Sequence, residues 1–316
     1  MKALLENIAG NLLLTILVWV FRFIRFESLE SVTKPIGALG FLLAKRYRKR
    51  VIENLRIAFG QDKDSTEIDH FAKEIFFHLA YAISELVSLL ARARSWEEFL
   101  PQIKIQGSEH LDEALQKGTG VVALGIHLGG FFLVPARISV EKHSCSVLIN
   151  RGRNRALWKR LEKYHRIFRV KTIYTKPSLV ALKKSLNSLS RNEIIYVLAD
   201  QQQRRRGIAT LFFDRKAYTS PGPAFLSIKT GAAILPMYVL RKNNGASRTL
   251  VIEPSVTIQR TRDERIDIEL LTAEFTQRIE QIVRQYPGQW AWLNRRWKLP
   301  PLQTSESKEA ELFSKP

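Results

Sequence analysis

His127 is the first residue of this chain whose setting suggests chemistry. An apolar run, VVALGI at 121–126, leads into it, and Leu128-Gly129-Gly130-Phe131-Phe132 follows. An imidazole where a strand gives way to a loop is placed to act as a general base near neutral pH. The alternative is a structural histidine satisfied by its neighbours. Gly129 and Gly130 let backbone approach a ligand closely and aim amide groups at it. Asp200 closes a second apolar run, IIYVLA at 194–199, and is followed by Gln201, Gln202 and Gln203. If the two runs are parallel neighbours, Asp200 comes to the same sheet edge as His127, where open α/β sheets collect ligands. A helix N-cap or loop carboxylate is the competing reading.

The string from Tyr286 to Lys298, YPGQWAWLNRRWK, holds three tryptophans, two adjacent arginines and a Pro-Gly turn. Trp290 and Trp292 fit a core. Arg295, Arg296 and Lys298 beside Trp297 suit an anionic head group at an interface. Positive charge is also dense from Arg151 to Lys176 and at Arg204-Arg205-Arg206. For most of those side chains a solvated helix face is the simpler account. No Cys/His spacing suits zinc, and neither a metal nor a cofactor is expected. Cys145 is the only cysteine, so an internal disulfide is excluded, and its neighbours CSVLI read as a buried strand.

The elements that must position these groups alternate along the chain. Strand-like runs occupy 121–126, 145–149, 194–199, 232–240 and 250–253, with helical patterns near 129–140, 154–169, 178–190 and 222–230. A last amphipathic helix is expected from about Ala273 to Tyr286, stopping at Pro287-Gly288. This alternation predicts an α/β fold with a mostly parallel central sheet flanked by helices. Residues 66–94 read as one long apolar helix, either core or with a face toward lipid. Near the N-terminus, Ile8 to Ile24 is apolar and ends at Arg22 and Arg25. It either spans a membrane or lies in its interface, a buried core helix being the remaining reading. Basic residues Lys45, Arg46, Arg48, Lys49 and Arg50 follow, and by the positive-inside rule they keep the rest of the chain cytoplasmic. The expected organisation is an N-terminal membrane anchor at 1–30, one α/β domain at 31–302 and a polar tail at 303–316.

The chain has 316 residues, 50 Lys plus Arg against 30 Asp plus Glu, and a formal charge of +20. Such a surplus favours anionic partners: anionic lipid, an acidic protein or nucleic acid. With no nucleic-acid motif and an apolar N-terminal segment, nucleic acid is the least supported of these.

These strings together resemble the late acyltransferases of lipid A biosynthesis, the lauroyl/myristoyl transferases of bacterial inner membranes, within the lysophospholipid acyltransferase superfamily. Asn54-Leu55 with Ala58-Phe59 is similar to that family's "NL..AF" segment. His127 to Phe132 stands where the family has "HFGNWE". Asn154 and Arg166 resemble its "N...R" region, and Asp200-Gln201, Phe212-Phe213 and Thr219 to Gly222 its "DQ…FFG…T..G" stretch. Gln289 to Lys298 looks like its "QW.W.HRRWK" ending, with Asn294 in place of histidine.

The resemblance implies a glycerolipid-acyltransferase-like fold on the cytoplasmic face of the inner membrane. It also implies transfer of an acyl chain to a lipid hydroxyl from acyl carrier protein, or less often from acyl-CoA. The acceptor would be an anionic lipid such as a lipid A precursor or related glycolipid. His127 would be the base, with the Gly129-Gly130 amides or Arg166 facing the oxyanion. The family pairs its histidine with a carboxylate five positions later, and Phe132 fills that position here. Two readings follow. Either Asp200 or Asp214 orients His127 in a working enzyme, or the chain is a catalytically degenerate relative in which Phe132 lines a lipid- or partner-binding pocket.

Overall fold

Short β-branched and aliphatic runs bounded by turns build a seven-stranded sheet with the order β1-β9-β8-β2-β5-β3-β4. The computed structural model describes residues 2–24, 28–92, 99–151, 155–203, 207–242 and 247–297. Lys298, the expected tail at 303–316, Arg204-Arg205-Arg206 and Asn154 lie outside the described residues. The strands are β1 (Lys104–Gln106), β2 (Val121–Gly129), β3 (Cys145–Ile149), β4 (Lys171–Tyr174), β5 (Ile194–Leu198), β8 (Ala233–Lys242) and β9 (Ser247–Ile252). All neighbours pair parallel except β8 and β9. A separate antiparallel hairpin joins β6 (Ile208–Phe212) to β7 (Arg215–Thr219). Its turn residues Phe213 and Asp214 both have positive φ, the geometry of a tight two-residue hairpin.

The mostly parallel α/β sheet is as expected, and the five anticipated strands are present. No clear pattern marks β1, β4 or the hairpin in advance. Three helices were also hidden: α2 (Leu29–Leu43), α3 (Lys45–Phe59) and α5 (Ser108–Gln116). In α2 the pattern is interrupted by Pro35, Gly37 and Gly40. Gly37 is where α2 meets α4 (Ser65–Ala91), since a Cβ there would stand 2.9 Å from the Phe77 Cα. The remaining helices α6 (Val134–Val140), α7 (Arg155–Ile167), α8 (Ser178–Leu189) and α9 (Gly222–Thr230) fall where expected. The last, α10 (Glu264–Gln285), begins earlier than the pattern suggests because Asp263 caps it through the amides of Arg265 and Ile266.

The N-terminal helix α1 (Lys2–Phe21) is docked on the body. Phe21 is buried with Leu29, Tyr81 and Val87, and Leu17 and Val18 pack against the same cluster. Its outer face carries Leu12, Ile16, Trp19 and Val20, and Phe23 follows in the turn after it, all exposed. On α2, Ile36, Leu39, Leu42 and Leu43 are exposed as well. Among the described helices, α4 is the one long and apolar enough to cross a membrane, and half of that stretch is buried inside the fold.

A buried ion cluster fixes α4 to the sheet. Glu85 has no solvent exposure and takes Arg248 Nε at 2.6 Å and Arg241 Nε at 3.0 Å. Tyr81 accepts from Arg248 at 3.2 Å. Burial alone pushes the Glu85 carboxyl up, but the two guanidinium groups outweigh it and hold it below its usual value. Breaking such a cluster leaves buried cations unpaired, at a cost of about 3–5 kcal/mol. Glu85→Ala is therefore expected to lower the unfolding free energy by about that amount. Denaturant titration in detergent measures it, and a loss under about 1 kcal/mol would contradict this role.

Candidate active site

The register of β2 against β5 brings the two expected groups together. Val121 to Gly125 pair with Ile194 to Leu198, a constant offset that sets His127 opposite Asp200. On its other side β2 slips against β8: Gly125 faces Met237, but Gly129 faces Val239. The two surplus residues form a bulge, a device that re-aims side chains beside active sites. The strand thus runs past His127 to Gly129, where a loop was expected to begin. Gly129 closes the bulge with φ +55°, and a Cβ there would lie 1.9 Å from the Val239 carbonyl oxygen. Only glycine meets both conditions.

His127 is held at three atoms. Its backbone N–H donates to Asp200 Oδ2 at 2.9 Å, and its carbonyl accepts from the Ala291 N–H at 2.9 Å. Its ring Nδ1 lies 2.7 Å from Asp200 Oδ1. Trp290 Nε1 adds a further donor to Asp200 Oδ2 at 2.7 Å. Burial pushes the Asp200 carboxyl up. The His127 ring, with its hydrogen bonds and that of Trp290, more than offsets this and keeps it below the ordinary 3.8. An ionised Asp200 only accepts, so Nδ1 carries a proton, and in the neutral ring the lone pair is then on Nε2. Gln201 Nε2 sits 3.2 Å from that Nε2.

His127 and Gln201 line an apolar cleft of about 390 Å³. Leu79, Ala82, Ile83 and Leu86 line it at the spacing of one α4 face, opposite Phe131 and Phe132. Ala291, Leu293 and Asn294 form the remaining wall. The Phe131 ring packs 4.9 Å from the His127 ring. Phe132 is half-buried, packs edge-on against Phe131 at 5.5 Å, and gives the cleft surface where a carboxylate was sought.

Other expected positions fall elsewhere. Arg166 is exposed in the last turn of α7, whose next residues lead into β4, and its neighbour His165 bonds Thr172 there. That is the edge where the parallel strands begin, whereas His127 lies near the end of β2, so the structure does not bring Arg166 to the His127–Asp200 pair. The Gly130 N–H is committed to the Val239 carbonyl at 3.0 Å and is not free for an oxyanion either. Asp214 stands exposed at the hairpin tip, where it cannot orient His127. Arg296, expected at a head group, is buried. It donates to the Tyr218 carbonyl at 2.9 Å and Thr219 Oγ1 at 2.6 Å and lies 4.9 Å over the Phe212 ring. Burial lowers it to about 10, which leaves it a cation that braces the hairpin. Arg295 is exposed. Two participants were overlooked. Gln201 and Trp290 each stood in a family-like string, but Gln201 was given no role and Trp290 read as plain core.

An imidazole backed by a buried carboxylate and lining an apolar cleft suits acyl-chain transfer to a hydroxyl. The fold and site define an acyltransferase. A family model described as bacterial lipid A biosynthesis acyltransferase matches residues 2–299, and the chain belongs to that family. It is similar to the phosphatidylinositol mannoside acyltransferase of Mycobacterium tuberculosis (strain ATCC 25618 / H37Rv), at 25% identity over 245 residues, covering 72% of this chain and 73% of the relative. The lipid A biosynthesis palmitoleoyltransferase of Escherichia coli (strain K12) is 23% identical over 296 residues, with 90% of each chain covered. The lauroyltransferase of the same strain is 23% identical over 292 residues, again with 90% of each covered.

Asp200→Asn is expected to lower the transfer rate by about 10²–10⁴-fold, since the wrong tautomer then competes at His127. Phe132→Glu should bring no gain, and a large gain would show that Asp200 does not serve the ring. A carboxyl held lower in the folded chain stabilises it above its unfolded value, 3.8 for Asp200, and that contribution fades as pH falls through the folded value. Wild type should thus lose thermal stability below about pH 4, and Asp200→Asn should lose less over the same window. Parallel melting curves would expose this theme as wrong if both fell equally.

Proposed function

We propose that the protein moves a fatty acyl chain from a thioester donor, acyl carrier protein or less often acyl-CoA, to a hydroxyl of a lipid A precursor or related glycolipid. The observation carrying this is the His127–Asp200 pair at the mouth of an apolar cleft, in a chain of the lipid A acyltransferase family. The named activities of the relatives, on lipid A and on phosphatidylinositol mannoside, support a glycolipid acceptor. The carboxylate missing at position 132 is the ground for the alternative of a degenerate relative, and the His127–Asp200 pair supports the working enzyme instead.

In the proposed reaction the acceptor hydroxyl hydrogen-bonds to His127 Nε2, displacing the Gln201 amide. The oxygen attacks the thioester carbonyl as Nε2 takes its proton. Asp200 stabilises the resulting imidazolium, and the freed Gln201 amide donates to the developing oxyanion. Collapse breaks the carbon–sulfur bond, and the imidazolium returns its proton to the departing thiolate. The acyl tail lies along Leu79, Ile83, Leu86 and Phe132, where its methylenes leave water.

The site works at the cytoplasmic face of a bacterial inner membrane, held by the exposed apolar faces of α1 and α2. A charge of +20 favours both an anionic leaflet and an acidic donor protein.

His127→Ala is expected to reduce transfer at least about 10²-fold, measured with radiolabelled acyl carrier protein thioesters and a panel of glycolipids. An unchanged rate would rule out the histidine mechanism. Trp19→Glu with Phe23→Glu should shift the protein from membrane pellet to supernatant in flotation on anionic vesicles. Retention equal to wild type would mean that the α1 face does not meet lipid.

A further inference from the structure

Beside the cleft lies a second cavity of about 320 Å³, and its lining is cationic. Arg46 and Arg50, one turn apart on α3, form one side, and Arg295 forms the other, with Gln202, Leu293 and Asn294 between them. Arg50 is held in place by donating to the Leu293 carbonyl at 3.2 Å. Asn54, one turn further along α3, donates to the carbonyls of Trp292 at 2.6 Å and Asn294 at 2.8 Å. This side of the pocket is therefore tied to α3. Arg46 and Arg295 are exposed, and among the described residues none of the three arginines forms a salt bridge. Leu293 and Asn294 are a wall common to both cavities, with Gln201 in one and Gln202 in the other.

We propose that this pocket binds a phosphate ester of the substrate, resting on the acyl-transfer reading of the neighbouring cleft. Converging guanidinium groups without carboxylate partners match a phosphate, which accepts their forked donors. Adjacent residues line the two cavities, and consecutive Cα atoms stand about 3.8 Å apart. A molecule with its reacting hydroxyl and its phosphate in one compact head group reaches both. A phosphopantetheine donor carries its phosphate at the far end of a long arm from the thioester. The acceptor lipid is thus the better source, and the pocket would set which hydroxyl of its head group meets His127.

The test uses the full chain in detergent micelles and titrates dioctanoyl phosphatidate, dioctanoylglycerol and coenzyme A. Arg46→Ala, Arg50→Ala and Arg295→Ala are each expected to weaken phosphatidate binding about tenfold, with diacylglycerol and coenzyme A unchanged. Lys183→Ala on exposed α8 removes the same charge elsewhere and should change nothing. Arg46→Lys and Arg295→Lys, which keep the charge but lose the fork, should fall between wild type and alanine and guard against a misfolded Arg50→Ala. Equal losses in the Lys183 control, or none in the arginine variants, overturn the site. Selective loss of coenzyme A binding overturns the acceptor assignment and gives the pocket to the donor. His127→Ala should bind phosphatidate as wild type does. Arginine-dependent binding in a protein that transfers no acyl chain would leave the pocket standing while the acyl-transfer reading falls.

Discussion

Asp200 accepts from the backbone and the ring of His127 and from the indole of Trp290, with 1% of its side chain exposed. A buried carboxylate without such donors would cost several kcal/mol or take up a proton. The three donors come from β2 and from the segment after α10, while Asp200 itself follows β5. One ionised group therefore requires that the centre of the sheet and the tryptophan-rich segment be in place together. The tautomer of His127, and with it the basic nitrogen, follows from the same requirement.

The tryptophan-rich segment explains much of the remaining arrangement. Trp290 and Trp292 pack edge-on at 4.6 Å, and Phe212, Phe213 and Phe59 close around them. Trp297 donates to the Phe212 carbonyl at 2.8 Å, and Arg296 reaches β7, so the hairpin is bound to this segment at both ends. Asn54 and Arg50 bind it to α3 from the opposite side. Strings far apart in sequence that looked like separate signatures are in fact partners in one set of contacts.

How much of this was legible varied with the range of the interaction. The parallel sheet was readable because its strands are short apolar runs that alternate with amphipathic helices. α2 was not, because Pro35 and two glycines break the periodicity that tertiary packing on α4 restores. His127 and Asp200 were each visible as polar residues closing apolar runs. Their pairing was legible only as one alternative beside Asp214, since it depends on β2 lying beside β5, and neighbour order in a sheet leaves no local trace. The bulge that spends the Gly130 amide is equally silent, because it records a mismatch between β2 and β8. Arg166 misled for the opposite reason. Its position in a motif was apparent, but the path of α7 across the sheet carries it to the far edge.

The origin of the carboxylate has a consequence for the cleft. When a histidine's partner sits a few residues along the same segment, that position must stay acidic, and the adjoining wall must tolerate a charge. Here the charge enters from the neighbouring strand behind the ring, and position 132 is relieved of it. Phe132 contributes only volume and apolar surface. The carboxylate is thereby supplied after β5 and the apolar wall by the turn after β2, so the width of the cleft can change by substitution at 132 without touching the ionised group behind the ring.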